Sequence, residues 1–343
     1  MNPSAESRLP TLKNWLHGIA GSHGLDIATL RPASSDASFR RYYRLQTSTG
    51  TAIVMDAPPP QEDCRPFVHV TALLAQAGLT VPAILAQDLQ QGFLLLSDLG
   101  EQTYYQAIQA GVDDIRLQKL YRDTIAALVR MQHADTSGLP AYDAQRLEQE
   151  LAVFPEWYAQ RHCQAALTES ELSTLHNTFA TLIADNVKQP SVLVHRDFHS
   201  PNLMVCEAEN NPGIIDYQDA LVGPLSYDIA SLVMDARTTW EEPQQLDWAI
   251  RYWEAARAAG LPVPSDFADF HRAYEWMGLQ RNLRILGVFA RLSYRDGKHH
   301  YLDHIPRVNA YVRQVAGRYN VFRPLIRLLD KLENRQITTG YTF

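Results

Sequence analysis

An aspartate, an asparagine five residues later and a second aspartate a short way on stand out in His195-Arg196-Asp197-Phe198-His199-Ser200-Pro201-Asn202 and the following Ile215-Asp216-Tyr217. Phosphoryl transfer asks for little covalent chemistry from a protein. It needs a carboxylate beside the attacking hydroxyl and further oxygen ligands for Mg²⁺. Asp197 suits the first role, as catalytic base, and Asn202 and Asp216 suit the second, as metal ligands. The short apolar run Gly213-Ile214-Ile215 would deliver Asp216 at a strand end.

The run H-R-D-x-x-x-x-N matches the kinase catalytic loop term by term. The other kinase parts are represented unevenly. The loop expected to cover the ATP phosphates is Ala33 to Ser38 and has no glycine. Ser35 and Ser38 offer hydroxyl and backbone donors there, and Arg40 or Arg41 offers charge, although either arginine taken singly reads equally well as part of a solvated hairpin face. The V-A-I-K pattern falls on Ala52-Ile53-Val54-Met55, so a methionine stands at the lysine position. In the helix expected over 62–77, Phe67 stands near the place of the glutamate that would pair with that lysine. The joint loss is self-consistent, since a buried glutamate without its lysine would be an uncompensated charge. Glu62 and Asp63 read as helix N-terminal acids. Phe93 to Leu96 leads into Ser97-Asp98-Leu99-Gly100, a hinge-like stretch whose backbone around Asp98 and Leu99 would pair with an adenine edge. In Gly223-Pro224-Leu225-Ser226-Tyr227-Asp228, the aspartate has two readings: a substrate contact, or, the favoured one, a buried anchor accepting hydrogen bonds from the catalytic-loop backbone.

Stepping outward, Leu9, Leu12, Trp15, Leu16 and Ile19 recur at helical spacing, and Ser38–Leu45 and Ala52–Met55 read as neighbouring strands. Beyond the hinge the pattern turns mainly helical, with an apolar stripe from Leu117 to Met131 and helices near 146–163, towards Val187 after a Thr168 or Ser170 cap, around Trp248 to Trp253, and over 267–286. Short strands are expected at 192–194, 203–206 and 214–215, and a helix opening at Gly223. The expected fold class is α+β and two-lobed: an N-lobe over 1–97, a hinge at 98–101 and a C-lobe over 102–343.

Composition excludes several classes. The 46% hydrophobic and 20% charged content is that of an ordinary soluble protein, and a formal charge of -7 disfavours nucleic acid, which demands a basic surface. Three scattered cysteines give neither a disulfide framework nor a C-x-x-C site and imply a reducing compartment. No signal peptide or membrane span is evident, so a cytoplasmic location is expected. No obligate protein partner is evident. The i, i+4 pairs His195/His199 and His300/His304 lack the setting of a zinc site.

H-R-D-F-H-S-P-N-L, I-D-Y-Q-D and G-P-L-S-Y-D, with L-L-L-S-D-L-G and G-L-T-V-P in the same order, resemble the aminoglycoside phosphotransferase family of kinase-like enzymes over nearly the whole chain. The resemblance implies a two-lobed kinase-like fold and ATP and Mg²⁺ as cofactors. The segments S-F-R-R-Y-Y-R-L, I-V-M-D-A-P-P and Q-R-N-L-R-I-L-G-V-F-A-R-L-S-Y-R-D-G-K are similar to a bacterial subgroup that phosphorylates the C1 hydroxyl of the amino sugars N-acetylmuramate and N-acetylglucosamine in cell-wall recycling. That likeness would make Met55 a subgroup trait. Two other readings stay open: a kinase of an aminoglycoside, choline-like or other small alcohol, and a non-catalytic kinase-like module, suggested by Met55 and the missing glycine loop. From Arg281 to Arg318 the sequence carries eight Lys or Arg residues against Asp296 and Asp303. Beside a substrate cleft this charge would repel a polycation and favour a neutral or carboxylate-bearing sugar; as a solvated helix face it would only balance an acidic chain. Asp219, Arg281 and Arg291 are the candidate substrate contacts.

Overall fold

The computed structural model describes residues 5–35 and 39–333. In chain order the elements are α1 (Ala5–His23), β1 (Leu25–Ser35), β2 (Arg41–Thr47), β3 (Gly50–Asp56), α2 (Arg65–Gln76), β4 (Ile84–Asp88), β5 (Phe93–Ser97), α3 (Tyr104–Gln109), α4 (Asp114–Gln132), α5 (Ala144–Leu151), a π-helical stretch (Phe154–His162) and α6 (Glu169–Asn186). There follow β6 (Ser191–Val194), β7 (Leu203–Met204), β8 (Gly213–Ile214), β9 (Leu221–Pro224), α7 (Tyr227–Val233), α8 (Glu242–Ala258), α9 (Phe267–Tyr294), α10 (Ile305–Arg318) and α11 (Arg323–Leu332). They fall into two compact units. One runs up to Ala107 and takes in Asn202–Asp219; the other comprises Ile108–Pro201 and the chain from Ala220 onward.

In the first unit an antiparallel sheet has the order β1-β2-β3-β5-β4. Strand alternation divides its side chains between two faces. Leu45, Ala52, Val54, Phe93 and Leu95 point to one face, where Leu12 and Leu16 of α1 close the core. The same face holds Asp56, buried and paired with Arg8 at 2.8 Å and Arg41 at 3.5 Å. Tyr42, Arg44, Ile53 and Leu96 line a cavity on the opposite face. The hairpin β7–β8 belongs to this unit, with Leu203 opposite Ile214.

The second unit is helical apart from the pair β6–β9. Asp113 caps α4, and Thr168 with Glu171 forms a reciprocal capping box on α6. The 28-residue α9 is buried along most of its length, including Glu275, Gln280, Arg281 and Asn282, as expected of a central helix. Val192 pairs with Gly223, so β6 delivers His195 directly to the loop that follows it. A side chain at Gly223 would put its Cβ 2.6 Å from that of Tyr142.

Two strands depart from the sequence expectation. Leu25–Ser35, of which Ala33 to Ser35 had been expected to form part of a phosphate-covering loop, is an edge strand. Leu221–Pro224 is a strand rather than the opening of α7, and the 62–77 helix begins only at Arg65. No helix among the described residues is long and apolar enough to cross a membrane.

Candidate active site

Asp197 follows the end of β6 in the helical unit. Arg196 before it has a φ of 78°, a left-handed conformation uncommon outside glycine that persists where surroundings over-determine it. Those surroundings are explicit. Asp228, fully buried, accepts from the main-chain N–H of His195 at 2.7 Å and of Arg196 at 3.0 Å. Burial pushes the Asp228 pKa up, to about 7, although both main-chain donors favour its carboxylate form. The expected anchor thus meets the main chain of the loop.

A second buried acid, Asp235, holds the far side. Its carboxylate accepts from the Ser200 N–H at 3.1 Å and from the Ser200 hydroxyl, and lies 3.6 Å from His199 Nδ1. Burial opposes its charge, but His199, Ser200 and the Arg237 N–H outweigh burial and lower its pKa. Sequence reasoning missed Asp235. It lies two residues beyond the end of α7, where helical spacing from Asp228 no longer applies, and no local pattern marked it.

Asp197 itself remains partly exposed, unlike these two braces. Burial would raise its pKa, but Arg284, His199, Arg281 and Arg196 together bring it down to about 2. Glu150 in turn pairs with Arg196 and, at 3.3 Å, with Arg284. Arg281 is 3% exposed, and its Nε and Nη1 have no partner among the described residues. Arg291 lies ten residues further along α9, about 15 Å at 1.5 Å per residue. Burial, Arg295 and Arg284 lower its pKa, and its Nε has no partner among the described residues. Part of the basic segment is compensated: Arg284 by Glu150, and Arg295, Arg313 and Arg318 by Asp296, Asp330 and Glu275, while Arg307 bonds the neutral Thr239 and Ala236 carbonyl.

In the sheet unit a cavity of about 260 Å³ has apolar walls that include Ile53, Leu96, Met204 and Ile215, and Asn202 and Asp216 at its edge. Pairing of β7 with β8 brings these last two together: the Ile215 N–H donates to the Asn202 carbonyl at 3.1 Å, and Asn202 Nδ2 to Asp216 Oδ2 at 3.4 Å. Gln218 Nε2 donates to the other Asp216 oxygen at 2.9 Å, and Asp216 has a φ of 65°. Gly213 permits the close packing of the hairpin, since a Cβ there would lie 2.9 Å from Leu99 Cδ1 and from Cys206 Sγ.

Leu99 lines the cavity and its carbonyl accepts from the Cys206 thiol at 3.6 Å. The Asp98 side chain is committed elsewhere. It binds Arg44 through two bonds of 2.6 and 3.0 Å and accepts from Thr51 and the Gly100 N–H, which outweigh burial and lower its pKa. Met55 is buried, and Phe67 stacks on Tyr217 at 5.0 Å while the Tyr217 hydroxyl meets Thr71 at 2.8 Å. Aromatic packing therefore ties α2 to the hairpin. Arg40 pairs with Glu62, whereas Arg41 lies on the α1 face with Asp56. Asp219 is near enough to add to the field on Arg40. Ser38 and the side chain of Ser35 lie outside the described residues.

These parts define a class: a small-molecule phosphotransferase on the protein-kinase plan. A solved aminoglycoside phosphotransferase, APH(2'')-Ib with ADP bound, superposes with a TM-score of 0.59 at 13% identity, covering 88% of this chain and 98% of that one. The chain belongs to the phosphotransferase enzyme family, whose model matches residues 29–276. Among its relatives it is 48% identical to the N-acetylmuramate/N-acetylglucosamine kinase of Pseudomonas aeruginosa, over 96% of this chain and 98% of the relative. It is 42% identical to the protein of that name from Neisseria meningitidis, over 97% and 98%.

Proposed function

We propose that this chain transfers a phosphoryl group from ATP to the C1 hydroxyl of N-acetylmuramate or N-acetylglucosamine, in the cytoplasm, on sugars released by cell-wall turnover. The observation that carries this reading is the nearly full-length likeness to relatives named for those two sugars.

The cavity suits the nucleotide. Its apolar walls are of the kind that take a purine, and the Asn202–Asp216 pair supplies oxygen donors. No group of three His, Cys, Asp or Glu side chains that could hold a metal occurs among the described residues. A site of one carboxylate and one amide suits Mg²⁺, which completes its shell with phosphate oxygens and water. When bound, Mg²⁺ would neutralise charge on the triphosphate of ATP, the phosphoryl donor.

Asn202 and Asp216 would hold the ion, with Gln218 fixing the Asp216 carboxylate. Backbone groups of Asp98 and Leu99 would meet the base, and Ser35, Ser38 and Arg40 the phosphates, Arg41 being held on the α1 face by Asp56. Asp197 would accept a hydrogen bond from the sugar hydroxyl and take its proton as the new O–P bond forms and ADP departs. A pKa near 2 makes Asp197 a weak base, which suits late proton transfer and a role mainly in orienting the hydroxyl. Arg281, which has unsatisfied N–H groups and helps to lower the Asp197 pKa, is the best supported of the sugar-contact candidates, ahead of Asp219 and Arg291.

A coupled assay of ADP release across N-acetylmuramate, N-acetylglucosamine, an aminoglycoside and choline tests the assignment. Turnover is expected with the first two. Turnover confined to the others would overturn it.

A further inference from the structure

Kinase-like enzymes ordinarily hold the nucleotide phosphates with a strand lysine that a helix glutamate positions. Here Met55 and Phe67 occupy those places, and both side chains are buried among apolar neighbours. An anionic triphosphate still requires a fixed cation, so the question is which one this chain supplies.

Three arginines lie near this end of the sheet, and their partners separate them. Arg41 shares the buried Asp56 with Arg8 on the α1 face. Arg44 faces the cavity but is bound through two hydrogen bonds to Asp98 and further to Glu101 and the Gly100 carbonyl. Arg40 immediately precedes β2. Its Nη2 lies 2.9 Å from Glu62 Oε2, and these side chains are only 11% and 12% exposed. The other oxygen of Glu62 accepts the Phe39 N–H at 3.2 Å, so the carboxylate fixes both the arginine and the backbone before it.

Burial opposes the charge on Arg40, but it is more than offset by Tyr42, Glu62, Asp216 and Asp219. Asp216 is the proposed metal ligand. Arg40 is thus a partly buried guanidinium within electrostatic reach of the proposed metal-binding carboxylate, and its ion pair with Glu62 holds it in place. Glu62 lies three residues ahead of α2, not within it.

We propose that the Arg40–Glu62 pair replaces the missing lysine–glutamate pair, with Arg40 contacting the nucleotide phosphates and Glu62 acting as its positioning residue. The inference rests on the phosphotransferase reading of the cavity that Asp216 and Tyr42 line. A guanidinium suits the task, since its planar fork binds phosphate oxygens in pairs where an ammonium acts as a point charge. Glu62 balances the cation when no nucleotide is present, which limits the cost of keeping it partly buried.

The test is equilibrium binding of ATP with Mg²⁺, and of adenosine, by isothermal titration without acceptor. Arg40→Ala is expected to weaken ATP about 10- to 100-fold, the range of a charge-assisted hydrogen bond, and to leave adenosine unchanged. Arg40→Lys should recover part of the loss. Glu62→Gln should weaken ATP less than Arg40→Ala, and the double variant should be no worse than Arg40→Ala alone, because the two residues act as one unit. In turnover, KM for ATP should rise in Arg40→Lys and Glu62→Gln. Should Arg40→Ala fail to fold, those two variants decide the matter by the same ATP-against-adenosine comparison. ATP affinity within twofold of wild type, or equal weakening of ATP and adenosine, would overturn the inference alone. Absence of ATP binding by the wild-type protein would overturn the phosphotransferase reading as well.

Discussion

Replacing Asp228 isolates the brace on which the proposed catalytic loop depends. Each of its oxygens accepts one main-chain N–H, from His195 at 2.7 Å and Arg196 at 3.0 Å, in a fully buried setting. In Asp228→Asn one acceptor survives, while the other becomes an NH₂ group facing an N–H. One bond is lost and a buried donor is orphaned, at a cost of about 2–3 kcal/mol. Asp228→Ala orphans both donors and should cost about 2–5 kcal/mol. For a unit of this size a kilocalorie shifts the melting midpoint by about 2–4 °C, so the asparagine variant should melt about 4–12 °C lower. Relaxing the left-handed turn at Arg196 also frees Asp197, and a displacement near 1 Å is enough for about a 100-fold loss of turnover. Thermal melting monitored by circular dichroism, with kcat measured well below the new midpoint, reads both effects. A variant that melts within about 2 °C of wild type and turns over at the same rate would refute the anchoring role.

The charge on Asp197 sets a pH expectation. Its pKa is lowered from 3.8 to about 2, so the stability it contributes, about 2 kcal/mol, is fully present above the unfolded value and is lost as pH falls through about 2. The stability advantage of wild type over Asp197→Asn in denaturant melts should therefore shrink between pH 4 and pH 2; a difference unchanged over that range would contradict it. Asp216→Ala should abolish the Mg²⁺-dependent part of ADP binding in a titration with and without the ion, and an unchanged Mg²⁺ increment would remove Asp216 from the metal site. Gly213→Ala forces a Cβ to 2.9 Å from Leu99 and Cys206 and should cost about 1–3 kcal/mol in denaturant melts. A neutral result there would show that the hairpin yields readily.

The residues legible in the sequence were those bound by short, fixed spacing. Asp197, Asn202 and Asp216 follow from one octapeptide and one strand end, and Asp228 from a turn that opens a helix. What stayed hidden depends on pairing across many residues. Nothing local distinguishes Arg40 from Arg41; the difference is that one meets Glu62 and the other Asp56. Glu62 read as a helix N-terminal acid because its partner lies on a different element. β1 was obscured by Pro32, which removes a donor in mid-strand, and the structure tolerates it on the edge of the sheet where the register shifts. β9 was hidden by Gly223-Pro224, read as the opening of a helix although the glycine is required where the strand meets Tyr142. The net positive charge after Arg281 illustrates the opposite error of counting, since Arg284, Arg313 and Arg318 are paired with acids from elsewhere in the chain.

The central claim is that this chain phosphorylates an amino sugar at its anomeric hydroxyl, with Asp197 as the base. The most direct test is an NMR spectrum of the product made from N-acetylglucosamine labelled with ¹³C at C1, in the presence of ATP and Mg²⁺. A phosphorus coupling is expected on the labelled carbon, with the yield of that product per unit time reduced about 10²- to 10⁴-fold by Asp197→Ala. Phosphate on any other hydroxyl, or equal yield from the variant, would contradict it.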